Sequence, residues 1–418
     1  MDATHPLPPT LLTHPPNSSP FTHSSHVRSL ATMLASAAVA FLAAATPALA
    51  WGAAGHEIVA TIAQIHLHPQ VRDKLCHILP EAAHCHLAPI AAWADTIRRG
   101  YPGTAQMHYV NPKFDHPGDT CTYGEKGWIN EDVNVLTAIM NKTEEVRNGG
   151  GDIPLRFLVH FLGDVHQPLH LTGRDRGGNQ AMFRFEGRVR NLHSVWDSGI
   201  ITKNIRELGN YTTPVPSKQI ENALPGAIFD PYVRWIVWEG IREWWRDDLE
   251  SWLECPADGD PYPHSVYGAP APPERGLASS LLHGAGNLVS HAAEFLGPLS
   301  WLGDYLPADG DHTGNRDVLL ASTPQALKME NRKFTSPACP YTWSKPIHAV
   351  NCAHAWPKEY NGTGPLIELD TPEYLGKIGE HKVVESLLAK GGLRLAKILN
   401  EILSGGEYPG VYINYHDE

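Results

Sequence analysis

The stretch His160-Phe-Leu-Gly-Asp164-Val-His-Gln-Pro-Leu-His170 sets an imidazole and a carboxylate four residues apart and adds a further imidazole at its end. Residues four apart share one face of a helix. Asn191-Leu-His193-Ser-Val-Trp-Asp197 repeats that spacing. Imidazole with carboxylate, and no cysteine close by, suits an open zinc centre better than a closed structural one. One such pair alone reads as an ordinary hydrogen bond. Two pairs and an extra histidine, embedded in apolar sequence, read differently, because burying five such groups without a cation is costly. Three upstream segments carry weaker signals of the same kind: Trp51-Gly-Ala-Ala-Gly-His56, Trp93-Ala-Asp95-Thr-Ile-Arg98 and Gln106-Met-His108-Tyr109-Val-Asn111. Each by itself is ambiguous, since a single histidine is usually just hydrogen-bonded.

These side chains need helices to carry them. Apolar spacing predicts a helix over 133–147 that stops at Asn148-Gly-Gly-Gly. A second has Asp152 as N-cap and Pro154 in its first turn, runs to about Val165, and is ended by Pro168. Alternation through Met182, Phe183, Phe185 and Val189 predicts a hairpin over 181–190, with helix resuming at Leu192. Trp235, Trp238, Trp244, Trp245 and Trp252 lie on helical sequence, and a buried amphipathic stripe explains them better than a base-stacking platform. Residues 256–338 are rich in Pro, Gly, Ala and Ser and read as an insertion, partly helical and partly disordered, with an amphipathic island at Leu277–Leu302. Helical periodicity returns from Lys382 to Leu403. No internal repeat is found. The expectation is a mainly α single domain, 51–418, with one small β-hairpin.

Residues 1–50 read as a removable signal peptide with an extended n-region: an apolar run from Met33 (itself a possible start) ends in Thr-Pro-Ala-Leu-Ala50, a small-x-small cleavage site before Trp51. The run is too short to span a bilayer. The chain of 418 residues is therefore expected to be secreted, soluble and monomeric, without a membrane anchor. Six cysteines fit three disulfides in an oxidising compartment. Cys76–Cys85 is a local bridge rather than a zinc knuckle, Cys255–Cys339 would staple the base of the insertion, and Cys121–Cys352 would take the remaining pair. Asn141, Asn210 and Asn361 stand in sequons for N-glycans. The net charge of −12 makes a poor non-specific duplex binder. If nucleic acid is the substrate, positive charge must come from elsewhere, and bound metal is the obvious source.

Taken together, Trp-Gly-x-x-Gly-His56, Trp-Ala-Asp95, His160-Phe-Leu-Gly-Asp164, Gln-Pro-Leu-His170 and Asn-Leu-His193-Ser-x-Trp-Asp197 resemble the zinc-dependent single-strand nucleases of fungi and plants, the nuclease S-one and P-one type, also called nuclease/3′-nucleotidases. The resemblance covers Trp51 to about Cys255 and Cys339 to about Leu403. It implies a helical domain of the zinc phospholipase C and nuclease type, and three Zn²⁺ per chain. One zinc would be held by Asp95, His108, His160 and Asp164, and a second by His170, His193 and Asp197. The third would use the free amine and carbonyl oxygen of Trp51 with His56, and Asp164 as a bridge. The resemblance also implies hydrolysis of single-stranded DNA and RNA, and of 3′-nucleotides, to 5′-phosphorylated products. Asp95 would orient the attacking water, Arg98 would clamp a phosphoryl oxygen, and the third zinc would stabilise the leaving 3′-oxygen. Three zinc ions against three ligand carboxylates leave about +3 in the cleft of an acidic protein. Asn179 matches a phosphate-contact position. Tyr109 and Asn111 stand where the family has a base-stacking Phe and a base-binding Asp. Tyrosine can still stack, whereas Asn111 adds a donor where Asp only accepts. The rivals are a secreted zinc phospholipase C and a non-catalytic zinc-binding protein. Tyr109, Asn111 and the Arg176-Gly-Gly-Asn179 segment argue against the first, and intact Asp95 and Arg98 against the second.

Overall fold

The computed structural model describes residues 51–98, 101–262 and 336–416, which belong to one compact unit. The expected signal peptide, the apolar stretch Leu277–Leu302 and most of the expected insertion lie outside the described residues. The described part is helical with one two-stranded antiparallel sheet. Helix α1 is Ala53–Ile65, α2 Pro69–Cys76, α3 the short Trp93–Ile97, α4 Val135–Arg147 and α5 Asp152–Asp164. Strands β1 (Met182–Phe185) and β2 (Arg188–Asn191) pair Met182 with Asn191 and Phe185 with Arg188. Helix α6 follows directly: Leu192–Ser194, a wider π turn Val195–Gly199, then Ile200–Glu207. Helix α7 is Asp230–Trp235 continued by Ile236–Trp244, α8 is Pro340–Val350 continued by Asn351–Ala355, and α9 is Val383–Ser404.

Local chemistry explains the ends. Asn134 caps α4 in a reciprocal capping box with Thr137. Asp152 does not cap α5 as the sequence suggested: Gly151, at φ 78°, takes that position. Asp152 instead sits in the first turn, where its charge suits the helix dipole and pairs with Arg156 at 2.7 Å.

The buried helices α1, α5 and α9 form the centre of the core. Gly392, mid-way along α9, is what lets α9 approach α1: a Cβ there would lie 2.4 Å from Ile62 Cγ2 and 3.0 Å from the Val59 carbonyl oxygen. A helical glycine costs about 0.5–1 kcal/mol relative to alanine, and here the close crossing offsets it. Disulfides join Cys76 to Cys85, Cys121 to Cys352 and Cys255 to Cys339, the pairing the sequence suggested. Trp235, Trp238, Trp245 and Trp252 pack partly buried at the core edge, whereas Trp244 is 43 % exposed and departs from the expected stripe. No described helix is long and apolar enough to cross a membrane.

The sequons differ in their surroundings. Asn210 and Asn361 are exposed. Asn141 stands inside α4, and the hydroxyl of its Thr143 is buried and donates to the Ile139 carbonyl oxygen at 2.8 Å.

Candidate metal centre

Helix α5 delivers His160 and Asp164 from one face into the core, and both are wholly buried. Pro168 then breaks the helix and opens a short turn, Pro168–Leu171, that turns His170 back beside them. Helix α6 delivers His193 and Asp197. The π turn alters the helical rise but leaves His193 Nε2 3.2 Å from Asp197 Oδ2. His56 comes from α1 and Asp95 from α3, while His108 ends the short helical segment Pro102–His108.

The structure brings these groups into contact. His108 Nδ1 lies 3.0 Å from Asp164 Oδ2, His160 Nε2 3.3 Å from the same oxygen, and His56 Nε2 3.4 Å from Asp164 Oδ1. His160 Nε2 is 3.7 Å from Asp95 Oδ1, and the His56 and His160 rings stack with centroids 3.8 Å apart. Three sets have ligating atoms mutually within 4.8 Å: His56, Asp95 and His160; His108, His160 and Asp164; and His170, His193 and Asp197. Trp51 is fully buried, and the backbone N–H of Gly52 donates to the Asp197 carbonyl oxygen at 2.8 Å, so residue 51 lies next to the third set.

The rings are aimed by backbone acceptors. His160 Nδ1 donates to the Ala91 carbonyl oxygen at 2.7 Å, His170 Nδ1 to His108 at 2.5 Å and His193 Nδ1 to Gly177 at 2.6 Å. Each bond commits Nδ1 as the donor and leaves Nε2 to face the other ligating groups; His170 Nε2 has no partner, and His160 Nε2 lies 3.1 Å from His108 Nδ1. The Gln167 amide donates to Asp197 Oδ1 at 2.5 Å and thereby turns Oδ2 toward His193. Gly163 lets α5 lie against His56: a Cβ there would meet His56 Nδ1 at 2.4 Å.

Many ligating atoms of the cluster have no hydrogen-bond partner. His56 Nδ1 and Nε2, Asp95 Oδ1, His108 Nε2, Asp164 Oδ1, His170 Nε2 and Asp197 Oδ2 are all buried without a hydrogen-bond partner. Orphans of this kind cost about 1–3 kcal/mol each. Burial pushes His56 down to about 4, helped by His160, and pushes His193 down to about 3, helped by His170. Burial lowers His108 too. It also opposes protonation of His160, yet the carboxylates of Asp164 and Asp95 hold that imidazole up at about 9. Asp164 resists burial because the neighbouring histidines hold it well below the usual carboxylate range. Asp197, by contrast, is pushed well above that range by burial. Divalent cations would remove the conflict: they favour neutral imidazole and ionised carboxylate, the ligating forms, and occupy the orphaned atoms. The residues present therefore fit a zinc centre.

The remaining positions named from the sequence sit at or beyond the rim. The Arg98 side chain is 27 % exposed, with Nη1 3.9 Å from Asp95 Oδ1. Tyr109 and Asn111 are partly exposed. Asn130 holds their backbone, accepting from the Asn111 N–H at 2.9 Å and donating to the Tyr109 carbonyl oxygen at 3.0 Å. Asn179 is not drawn into the cluster, since its amide donates to the Arg176 carbonyl oxygen at 2.9 Å. Gln167, Asn130 and Gly163 were not singled out from the sequence. The Gln-Pro-Leu-His string holds Gln167, but only the fold shows which carboxylate it meets.

A helical fold around a buried, multi-part His/Asp donor set defines a class: proteins able to hold several metal ions in one internal site. A family model described as S1/P1 Nuclease matches residues 51–259. The chain belongs to the S1/P1 nuclease family, and every one of the nine candidate ligands falls inside the matched segment. It is 31 % identical to Endonuclease 2 of Arabidopsis thaliana over 221 residues, 49 % of this chain and 69 % of that protein. It is also 36 % identical to Nuclease P1 of Penicillium citrinum over 155 residues, 35 % of this chain and 57 % of that enzyme. With Nuclease S1 of Aspergillus oryzae it shares 34 % identity over 170 residues, 38 % of this chain and 59 % of that enzyme.

Proposed function

We infer that this chain is a secreted zinc endonuclease that hydrolyses phosphodiester bonds of single-stranded DNA and RNA, and 3′-nucleotides, to 5′-phosphorylated products. The observation that carries the reading is the set of orphaned ligand atoms converging from α1, α3, α5 and α6, with Arg98 beside Asp95 at its rim. Three zinc ions are assigned: one to Asp95, His108, His160 and Asp164, one to His170, His193 and Asp197, and one to Trp51, His56 and Asp164. When bound, zinc supplies Lewis acidity and lowers the pKa of a coordinated water toward ~7. Asp95 would orient the attacking water from the buried side of the centre. Arg98, from the solvent side, would hold a phosphoryl oxygen and oppose the charge that builds on it.

Tyr109 offers a ring to an unstacked base, and Asn111 an amide to that base's edge. Asn179 is assigned to phosphate, with one amide hydrogen anchoring the loop on the Arg176 carbonyl oxygen and the other left to donate to a phosphoryl oxygen. A base held in a duplex cannot reach such a ring, so single strands should be cut faster. Trp51 would contribute its amine only after cleavage in front of it, which ties activity to export. The three disulfides support an oxidising compartment, and Asn210 and Asn361 are the sequons best placed for glycans.

Steady-state kinetics on single-stranded DNA test the roles. Tyr109→Ala should raise KM more than Arg98→Ala does, and Arg98→Ala should act mainly on kcat. The reverse split would remove the assigned roles.

A further inference from the structure

A second knot of ligating side chains is built from residues outside the His/Asp centre. The Asp115 carboxylate is shut off from solvent and accepts from the Thr172 hydroxyl at 2.6 Å and the Thr122 N–H at 3.1 Å. His348 of α8 places Nε2 3.0 Å from Asp115 Oδ1 and stacks its ring on Tyr123 with centroids 4.6 Å apart. Cys121 Sγ, a ring nitrogen of His348 and an Asp115 oxygen all lie within 4.8 Å of one another. Cys121 is at present disulfide-bonded to Cys352, which follows His348 by one helical turn on α8. Opening that bond would free two sulfurs beside a histidine and a carboxylate already held in place.

We propose that reduction of Cys121–Cys352 converts this knot into a zinc site with Cys121, Cys352, His348 and Asp115 as ligands. Two thiolates, an imidazole and a carboxylate make a donor set that zinc takes in tetrahedral geometry. With Zn–N and Zn–O near 2.0–2.1 Å, the edge of such a tetrahedron is about 3.3 Å. The His348–Asp115 separation of 3.0 Å is therefore within a few tenths of an ångström of what an ion between them needs. Cys121 is exposed, so a reductant can reach the bond. A trialkylphosphine would cleave it with water, giving two thiols and the phosphine oxide. Zinc would then displace the two thiol protons. The bond spans 231 residues of sequence, and the ion would restore in coordinate form the cross-link that reduction removes.

Cobalt(II) titration of the metal-loaded protein, before and after phosphine reduction, tests the proposal. The His/Asp centre has no sulfur ligand, so a near-ultraviolet thiolate-to-cobalt charge-transfer band reports thiolate ligation outside that centre, and the cysteine variants say at which pair. Reduction should add one equivalent of metal and produce the band. The band should vanish in Cys121→Ser/Cys352→Ser and persist in Cys76→Ser/Cys85→Ser and in Cys255→Ser/Cys339→Ser. His348→Gln keeps the disulfide, so its fold can be checked by circular dichroism while oxidised, and after reduction it should bind cobalt at least tenfold more weakly. No added metal in the reduced protein, a band that survives loss of Cys121 and Cys352, or unchanged affinity in His348→Gln would each overturn it.

Discussion

Replacing Gly163 with alanine adds one methyl group at the point where α5 touches the centre. The new Cβ would sit 2.4 Å from His56 Nδ1 and 2.8 Å from Cε1, whereas ordinary van der Waals contact begins at 3.4 Å. The conflict is thus about 1 Å, and His56 has nowhere to absorb it: its ring is buried and stacked on His160 at 3.8 Å. Overpacking of this size costs about 1–3 kcal/mol, partly offset by the 0.5–1 kcal/mol or so that alanine gains over glycine in a helix. The protein should therefore fold with a modest loss of stability. Activity should suffer far more, because a displacement of about 1 Å in a positioned group can cost about 10²-fold. Zinc content by elemental analysis, a thermal melt and kcat on single-stranded DNA should be measured on one preparation. The expected result is sub-stoichiometric zinc, turnover down about a hundredfold, and a melt that stays cooperative but is lowered by the overpacking and by the lost metal together. Wild-type zinc content and turnover would refute the contact between α5 and His56 as a determinant of the site.

Gly392→Ala makes the opposite separation: its Cβ would strike Ile62 Cγ2 at 2.4 Å, far along α1 from His56, so stability should fall by about 1–3 kcal/mol in urea unfolding while zinc content at low temperature is unchanged. His66 gives a pH signature outside the centre. Burial pushes this imidazole down to about 4 from 6.5, so between those values the unfolded chain binds a proton that the folded one does not. Its contribution to stability is thus complete above pH 6.5 and is lost as pH falls toward 4. His66→Phe should flatten that part of the stability–pH curve, and an unchanged slope would discard the assignment.

Much of the centre was legible because helical geometry converts a spacing of four into a shared face. That is why His160 with Asp164 and His193 with Asp197 stood out, and why a π turn between the latter did not separate them. The hairpin was legible from alternation, and α4 and α9 from periodicity. Contacts that depend on the packing of distant segments were not. Nothing in the sequence joins Gly163 to His56 or Gln167 to Asp197, and the backbone carbonyls of Ala91, His108 and Gly177 that aim three imidazoles have no side-chain signature at all. The Asn141 sequon shows the same limit. Asn-x-Thr is a local pattern, but the burial of Thr143 follows from which face of α4 meets the core. Asn179 was chosen by likeness of sequence, and the loop around it turns its amide onto Arg176.

Nine residues are proposed to hold three zinc ions. Elemental analysis of the protein processed to begin at Trp51, paired with hydrolysis of single-stranded DNA before and after chelation, tests that assignment most directly. Three zinc ions per chain, with activity abolished by the chelator, is the expected result. A single tightly bound zinc in a fully active protein would contradict it.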